Sequence, residues 1–159
     1  MLSALILAAA TSSATAFLDD FAGSWRCGNA RYHESWRIAR HPNPALPAVT
    51  IADVSYGDPA HPDGMAFVYF APSEHGFRYD DFHADGAQSH LHAALPRDHR
   101  WEWTGTYEPA GAALDPSVDV IWTREPDGSI ARIFAQRIGG KTIVRGSDRC
   151  ERTSSGESP

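Results

Sequence analysis

Gly23-Ser24-Trp25-Arg26-Cys27 is the stretch on which the reading of this chain turns. Trp25 and Cys27 stand two residues apart, so in an extended strand both side chains point to one face. The other cysteine of the chain is Cys150, near its far end. If the two pair, the first and last extended segments lie side by side. A series of strands whose ends meet is a closed barrel.

The residues before this stretch read as an export signal. Leu2 to Ala10 is an apolar run, and Ala14-Thr15-Ala16 follows it as a cleavage site would. The run is shorter than the about 20 residues that span a bilayer. Residues 1–16 are therefore expected to be a signal peptide, with the mature protein periplasmic or extracellular and not inserted in a membrane. Cleavage there leaves about 140 residues, enough for one domain with a single core. In an exported chain two cysteines at opposite ends are most simply a disulfide, Cys27–Cys150. Their spacing does not match a zinc pattern such as C-x-x-C.

The net charge is −6, with Arg and Asp interspersed along the chain. That balance gives no electrostatic basis for binding nucleic acid or an anionic membrane. Past Leu18-Asp19-Asp20-Phe21-Ala22, which has room for one helical turn, no helical period stands out. Apolar residues alternate or run in short blocks, and Gly, Pro, Asn and Asp punctuate them at intervals of about ten residues. Segments 24–27, 32–39, 49–56, 65–70, 77–84, 87–94, 99–107, 118–124, 130–137 and 142–151 are the expected strands. The expectation is an all-β domain over residues 17–152: one antiparallel up-and-down barrel of about ten strands, since an open sheet would leave apolar edges unpaired. Residues 153–159 read as a disordered polar tail.

Turn chemistry gives a register. With Gly28-Asn29 as a hairpin turn, Cys27 faces Ala30 and Trp25 faces Tyr32. Trp25, Cys27, Tyr32, Glu34, Trp36 and Ile38 then share one face. With Gly139-Gly140 as a turn, Ala131, Ile133, Ala135, Val144, Gly146, Asp148 and Cys150 share another. Each cysteine falls on the more apolar face of its hairpin.

Phe21-Ala22-Gly23-Ser24-Trp25-Arg26-Cys27, Trp101-Glu102-Trp103-Thr104-Gly105 and Arg149-Cys150-Glu151-Arg152 together resemble the calycin barrels, which include lipocalins. The chain looks closest to small bacterial secreted domains of lipocalin-like or nitrobindin-like type. The resemblance implies a barrel in which a late arginine packs across the Trp. By the hairpin register Arg145 and Arg149 fall on the face opposite Cys150. Nitrobindin-like proteins hold haem through a histidine near the C-terminus, and here no histidine follows His99. The resemblance therefore carries no haem site.

Three groups of residues are candidates for chemistry. With Asp85-Gly86 as a type I′ turn, Asp81, His83, His90 and His92 share one face of their hairpin. Those are ligand types for zinc or another transition metal, but an ordinary polar outer wall is the simpler reading, and a pH-sensitive patch is a third. Glu34 points inward among Trp25, Tyr32 and Trp36, as a polar anchor for a ligand, as half of an internal ion pair with an arginine, or as a residue at the barrel rim. Trp25, Trp36, Trp101, Trp103 and Trp122 either line a ligand cavity or fill the core. No G-x-S-x-G, P-loop, G-x-G-x-x-G or H-E-x-x-H occurs. The expectation is a monomeric, non-enzymatic protein that binds a small, partly apolar molecule through Trp25, Tyr32, Glu34, Trp36, Trp101 and Trp103. The alternatives are a metal-binding protein or metalloenzyme built on the Asp/His cluster, and a packed barrel that works through its outer surface in the envelope.

Overall fold

The computed structural model describes residues 18–30, 32–42, 49–55, 63–109, 117–138 and 140–153. The proposed signal peptide and all but the first residue of the polar tail lie outside them. Ten antiparallel strands form a closed barrel: β1 (Gly23–Asn29), β2 (Tyr32–Arg40), β3 (Val49–Ser55), β4 (Gly64–Ala71), β5 (Gly76–His83), β6 (Gln88–Ala94), β7 (Arg100–Glu108), β8 (Ser117–Arg124), β9 (Ile130–Ile138) and β10 (Lys141–Arg152). Each strand pairs with its neighbours in sequence, and β1 pairs with β10 to close the ring. The all-β, up-and-down expectation holds. At the seam Cys27 stands opposite Cys150, and the two form the disulfide.

One end of the barrel is plugged. Residues 18–21 make one helical turn that buries Leu18 and Phe21 under the barrel floor. Phe21 meets Trp101 edge-on at 5.5 Å and lies 5.9 Å from Trp122. Trp25 donates its indole N–H to the Phe21 carbonyl at 2.8 Å. The guanidinium of Arg152 lies over the Trp25 ring at 4.8 Å and donates to the Asp20 carbonyl. The arginine expected across the Trp is thus Arg152, neither Arg145 nor Arg149. It reaches this place because Arg152 is the direct cross-strand partner of Trp25.

Three hairpins show how turn length sets faces. In β1–β2, Asn29 pairs with Tyr32 and Cys27 with Glu34, so the Gly28-Asn29 turn is not used. Cys27 meets a residue four places further along β2 than expected. Four is even, so the inward set Trp25, Cys27, Glu34, Trp36 and Ile38 is unchanged. In β9–β10 the pairing runs as expected to Val144 and Ala135, and then a bulge at Arg145 shifts it, so Gly146 meets Phe134. Past the bulge Asp148 faces Arg132 and Cys150 faces Ile130. The inward residues are therefore Ile130 and Arg132. Ile133 and Val144, expected on the same face as Cys150, are exposed instead. One inserted residue exchanges the faces of everything beyond it.

The third case is β5–β6. His83 donates its N–H to the Ala87 carbonyl, Gly86 donates to the His83 carbonyl, and the Asp85 carboxylate accepts from Ala87 N–H. The loop thus has three residues, Ala84-Asp85-Gly86, with Gly86 at φ +92°. That is the three-residue turn with a left-handed last position, not a two-residue type I′ turn. The extra residue moves the register by one: Phe82 faces Gln88, Asp81 faces Ser89 and Asp80 faces His90.

A two-residue turn of the type I′ form does occur, at Asp98-His99, where Arg97 and Arg100 exchange both backbone hydrogen bonds. Asp98 has φ 49° and His99 φ 60°, a left-handed backbone that costs a residue with a Cβ. His99→Gly is expected to raise stability by about 0.5–1 kcal/mol, read as a higher urea midpoint at unchanged slope. A lower midpoint would mean that the His99 side chain holds the turn by contacts that outweigh its backbone cost.

Candidate functional site

Above the aromatic floor the barrel is hollow. A cavity of about 530 Å³ opens between the strands. Its apolar wall comes from the inward residues of five strands, among them Trp36, Val54, Leu91, Val120, Trp122 and Phe134. Polar groups enter at Glu34, Tyr79, Asp81, Ser89 and Arg132, and His83, Asp85, Tyr107, Gln136 and Arg145 also line it. Alternation along each strand explains the set. Tyr79, Asp81 and His83 are successive inward positions of β5, as Ser89 and Leu91 are of β6.

The deepest polar feature is an ion triad. Arg132, Glu34 and Asp148 are all buried. Arg132 grips Asp148 with two parallel hydrogen bonds, Nε to Oδ1 at 2.7 Å and Nη2 to Oδ2 at 2.5 Å. Its Nη1 lies 2.5 Å from Glu34 Oε1. Burial alone would push the guanidinium pKa down. The hydrogen bonds Arg132 donates to Asp148 and the charges of Glu34 and Asp148 outweigh that and raise it above the ordinary value, so Arg132 stays charged. The same guanidinium sits 4.6 Å from the Trp36 ring centre and 5.1 Å from that of Phe134. Glu34 is therefore half of an internal ion pair that also forms part of the cavity wall. Its partner was not legible from turn chemistry, because only the bulge at Arg145 turns Arg132 inward.

The Asp/His group divides. Asp81 and His83 face the cavity, while His90 and His92 lie on the outer side of β6. His90 Nδ1 is 2.8 Å from Asp80 Oδ1, an outward pair across the hairpin. The expectation that all four share one face is corrected by the three-residue loop. Among the described residues no group of three or more His, Cys, Asp or Glu side chains converges as a metal site. Inside, the Tyr79 hydroxyl donates to Asp81 Oδ2 at 3.0 Å, and His83 Nε2 stands 3.5 Å from Asp81 Oδ1. At the mouth, burial first and then the charges of Asp85 and Asp81 raise the Tyr107 pKa, so its phenol stays neutral beyond the usual range.

The six residues expected to bind ligand are distributed over three places. Glu34 and Trp36 line the cavity. Trp25 and Trp101 are packed into the floor around Phe21. Trp103 stands behind the wall, 5.2 Å from Trp122 and 6.0 Å from Tyr79. The Tyr32 side chain lies outside the described residues. Tyr79, Leu91, Val120 and Phe134 complete the wall, and the alternation of their strands was the signal that could have found them. The indole Nε1 atoms of Trp103 and Trp122 are buried and, among the described residues, have no hydrogen-bond partner.

Fold and site define a class: a closed ten-stranded antiparallel barrel, plugged at one end, stapled along its seam and hollow above an aromatic floor. This architecture is compatible with a lipocalin- or calycin-like fold. No protein-family model matches the chain, and no curated protein is significantly similar to it.

Proposed function

We propose that this protein binds a small, partly apolar molecule inside the barrel and does not transform it. The observation that carries this reading is the cavity of about 530 Å³, mostly apolar and aromatic, with a few fixed polar groups. That is the size and lining of a small-molecule site. A barrel serving only as a packed support would fill this space with side chains, as it does at the floor. The Trp25–Arg152 stack fits a lipocalin-like binder. Export is part of the proposal: the disulfide favours an oxidising compartment, and no described helix is long and apolar enough to cross a membrane.

Trp36 and Trp122 in the wall supply the readout. An apolar probe such as phenylbutanol is expected to change Trp fluorescence in a saturable way. Val118→Trp, which fills space in the lining, should weaken that binding by about tenfold or more. Saturable binding unaffected by the filled variant would place the probe elsewhere and count against this reading.

A further inference from the structure

We propose that the molecule held in the barrel carries a positive charge, an ammonium or guanidinium on an apolar body, with that charge seated at Asp81. The proposal rests on the cavity-binding reading and adds the chemical class of the ligand.

Asp81 is a carboxylate in the cavity wall with only 8% of its surface exposed. Tyr79 serves its Oδ2. Its Oδ1 is buried and, among the described residues, accepts no hydrogen bond, while the side chain keeps 11% of its surface exposed at the cavity wall. The basic group beside it, His83 Nε2 at 3.5 Å, is beyond good hydrogen-bond distance. A buried carboxylate oxygen with no donor is costly, and a cation delivered by a ligand removes that cost.

The charges around the cavity point the same way. Three buried carboxylates, Glu34, Asp81 and Asp148, face or flank it against one buried guanidinium. Arg132 is already engaged through Nε, Nη1 and Nη2 by Asp148 and Glu34, and their two negative charges offset its pull on an incoming anion. At the mouth Asp85 adds another carboxylate, and Arg145 gives its Nε to Gln136. A carboxylate ligand would meet repulsion from Glu34, Asp81 and Asp85, whereas a cation is drawn to Asp81.

The walls suit a cation as well. The barrel already holds one, Arg132, between the rings of Trp36 and Phe134. Tyr79, which holds Asp81, and Trp122, whose rings meet at 5.9 Å, both line the cavity. Their faces can receive an ammonium or the apolar body that bears it.

The test uses three probes with one apolar body and different heads: phenylbutylamine, phenylbutanol and phenylbutyrate. Each is titrated into the intact protein by calorimetry, and into Asp81→Asn. The amine should bind at least about tenfold more tightly than the alcohol, and the acid more weakly than either. Asp81→Asn should remove the preference for the amine over the alcohol. An alcohol as tight as the amine, or a preferred acid, would overturn the charge assignment while leaving the cavity-binding reading intact. Amine preference that survives Asp81→Asn would overturn Asp81 as its seat. Silence from all three probes would overturn both readings. The ranking on the unaltered protein decides the charge even if the variant does not fold.

Discussion

Replacing Arg132 with methionine will destabilise the barrel by about 3–5 kcal/mol. The substitution preserves much of the side chain's length and apolar body. It removes the charge that holds two buried carboxylates, Glu34 and Asp148, against one guanidinium. Without it both remain buried with no cation and with like charges near each other. They must then stay ionised at high cost or take up protons, and either outcome disfavours folding. The melting temperature should fall by on the order of 15 °C for a domain of this size. Arg132→Lys should recover little, because a point charge cannot reproduce the two-pronged contact with Asp148. A variant combining Arg132→Met with Glu34→Gln and Asp148→Asn should recover at least half of the loss, because no unpaired charge is then buried. Urea unfolding followed by Trp fluorescence measures all three. A loss under about 1 kcal/mol for Arg132→Met alone would show that water reaches the triad freely and that the wall is not dry.

Removing the Cys27–Cys150 disulfide will cost about 4–5 kcal/mol, in the chain-entropy account of a loop this long. The bridge spans 123 residues of sequence and sits within the β1–β10 ladder. Every other strand pair is formed by neighbours in sequence, so its closure is local. The seam has to bring together the two ends of the domain. Its ladder is short, Trp25–Gly28 against Arg149–Arg152, supported by the Arg152 stack on Trp25. The double variant Cys27→Ala/Cys150→Ala should therefore lower the urea midpoint and show its earliest loss of amide protection in β1 and β10. Uniform loss of protection across all ten strands would mean that the seam is no weaker than the hairpins, and that the bridge acts on the barrel as a whole.

The existence and order of the strands were legible because they depend on local chemistry. Alternating apolar residues and regularly spaced turn residues mark each strand within one or two positions, and the two cysteines tie the ends. The Trp25, Cys27, Glu34 and Trp36 face survived a wrong turn assignment only because the error moved the register by an even number of residues. The Asp81, His83, His90 and His92 face did not survive, because a loop one residue longer moved it by an odd number. The Arg132–Asp148 contact depends likewise on one bulged residue, Arg145. Strand sequences record alternation but not its phase relative to the neighbouring strand, and a single backbone residue at a loop or bulge sets that phase. By itself, then, the sequence determined an all-β ring closed by its cysteines, with Glu34 and tryptophans pointing inward. The tertiary structure alone decided which charge meets Glu34 and which half of the histidine hairpin faces the cavity. It also decided that Trp25, the residue from which the fold was first legible, stacks with Arg152 at the floor, outside the cavity lining.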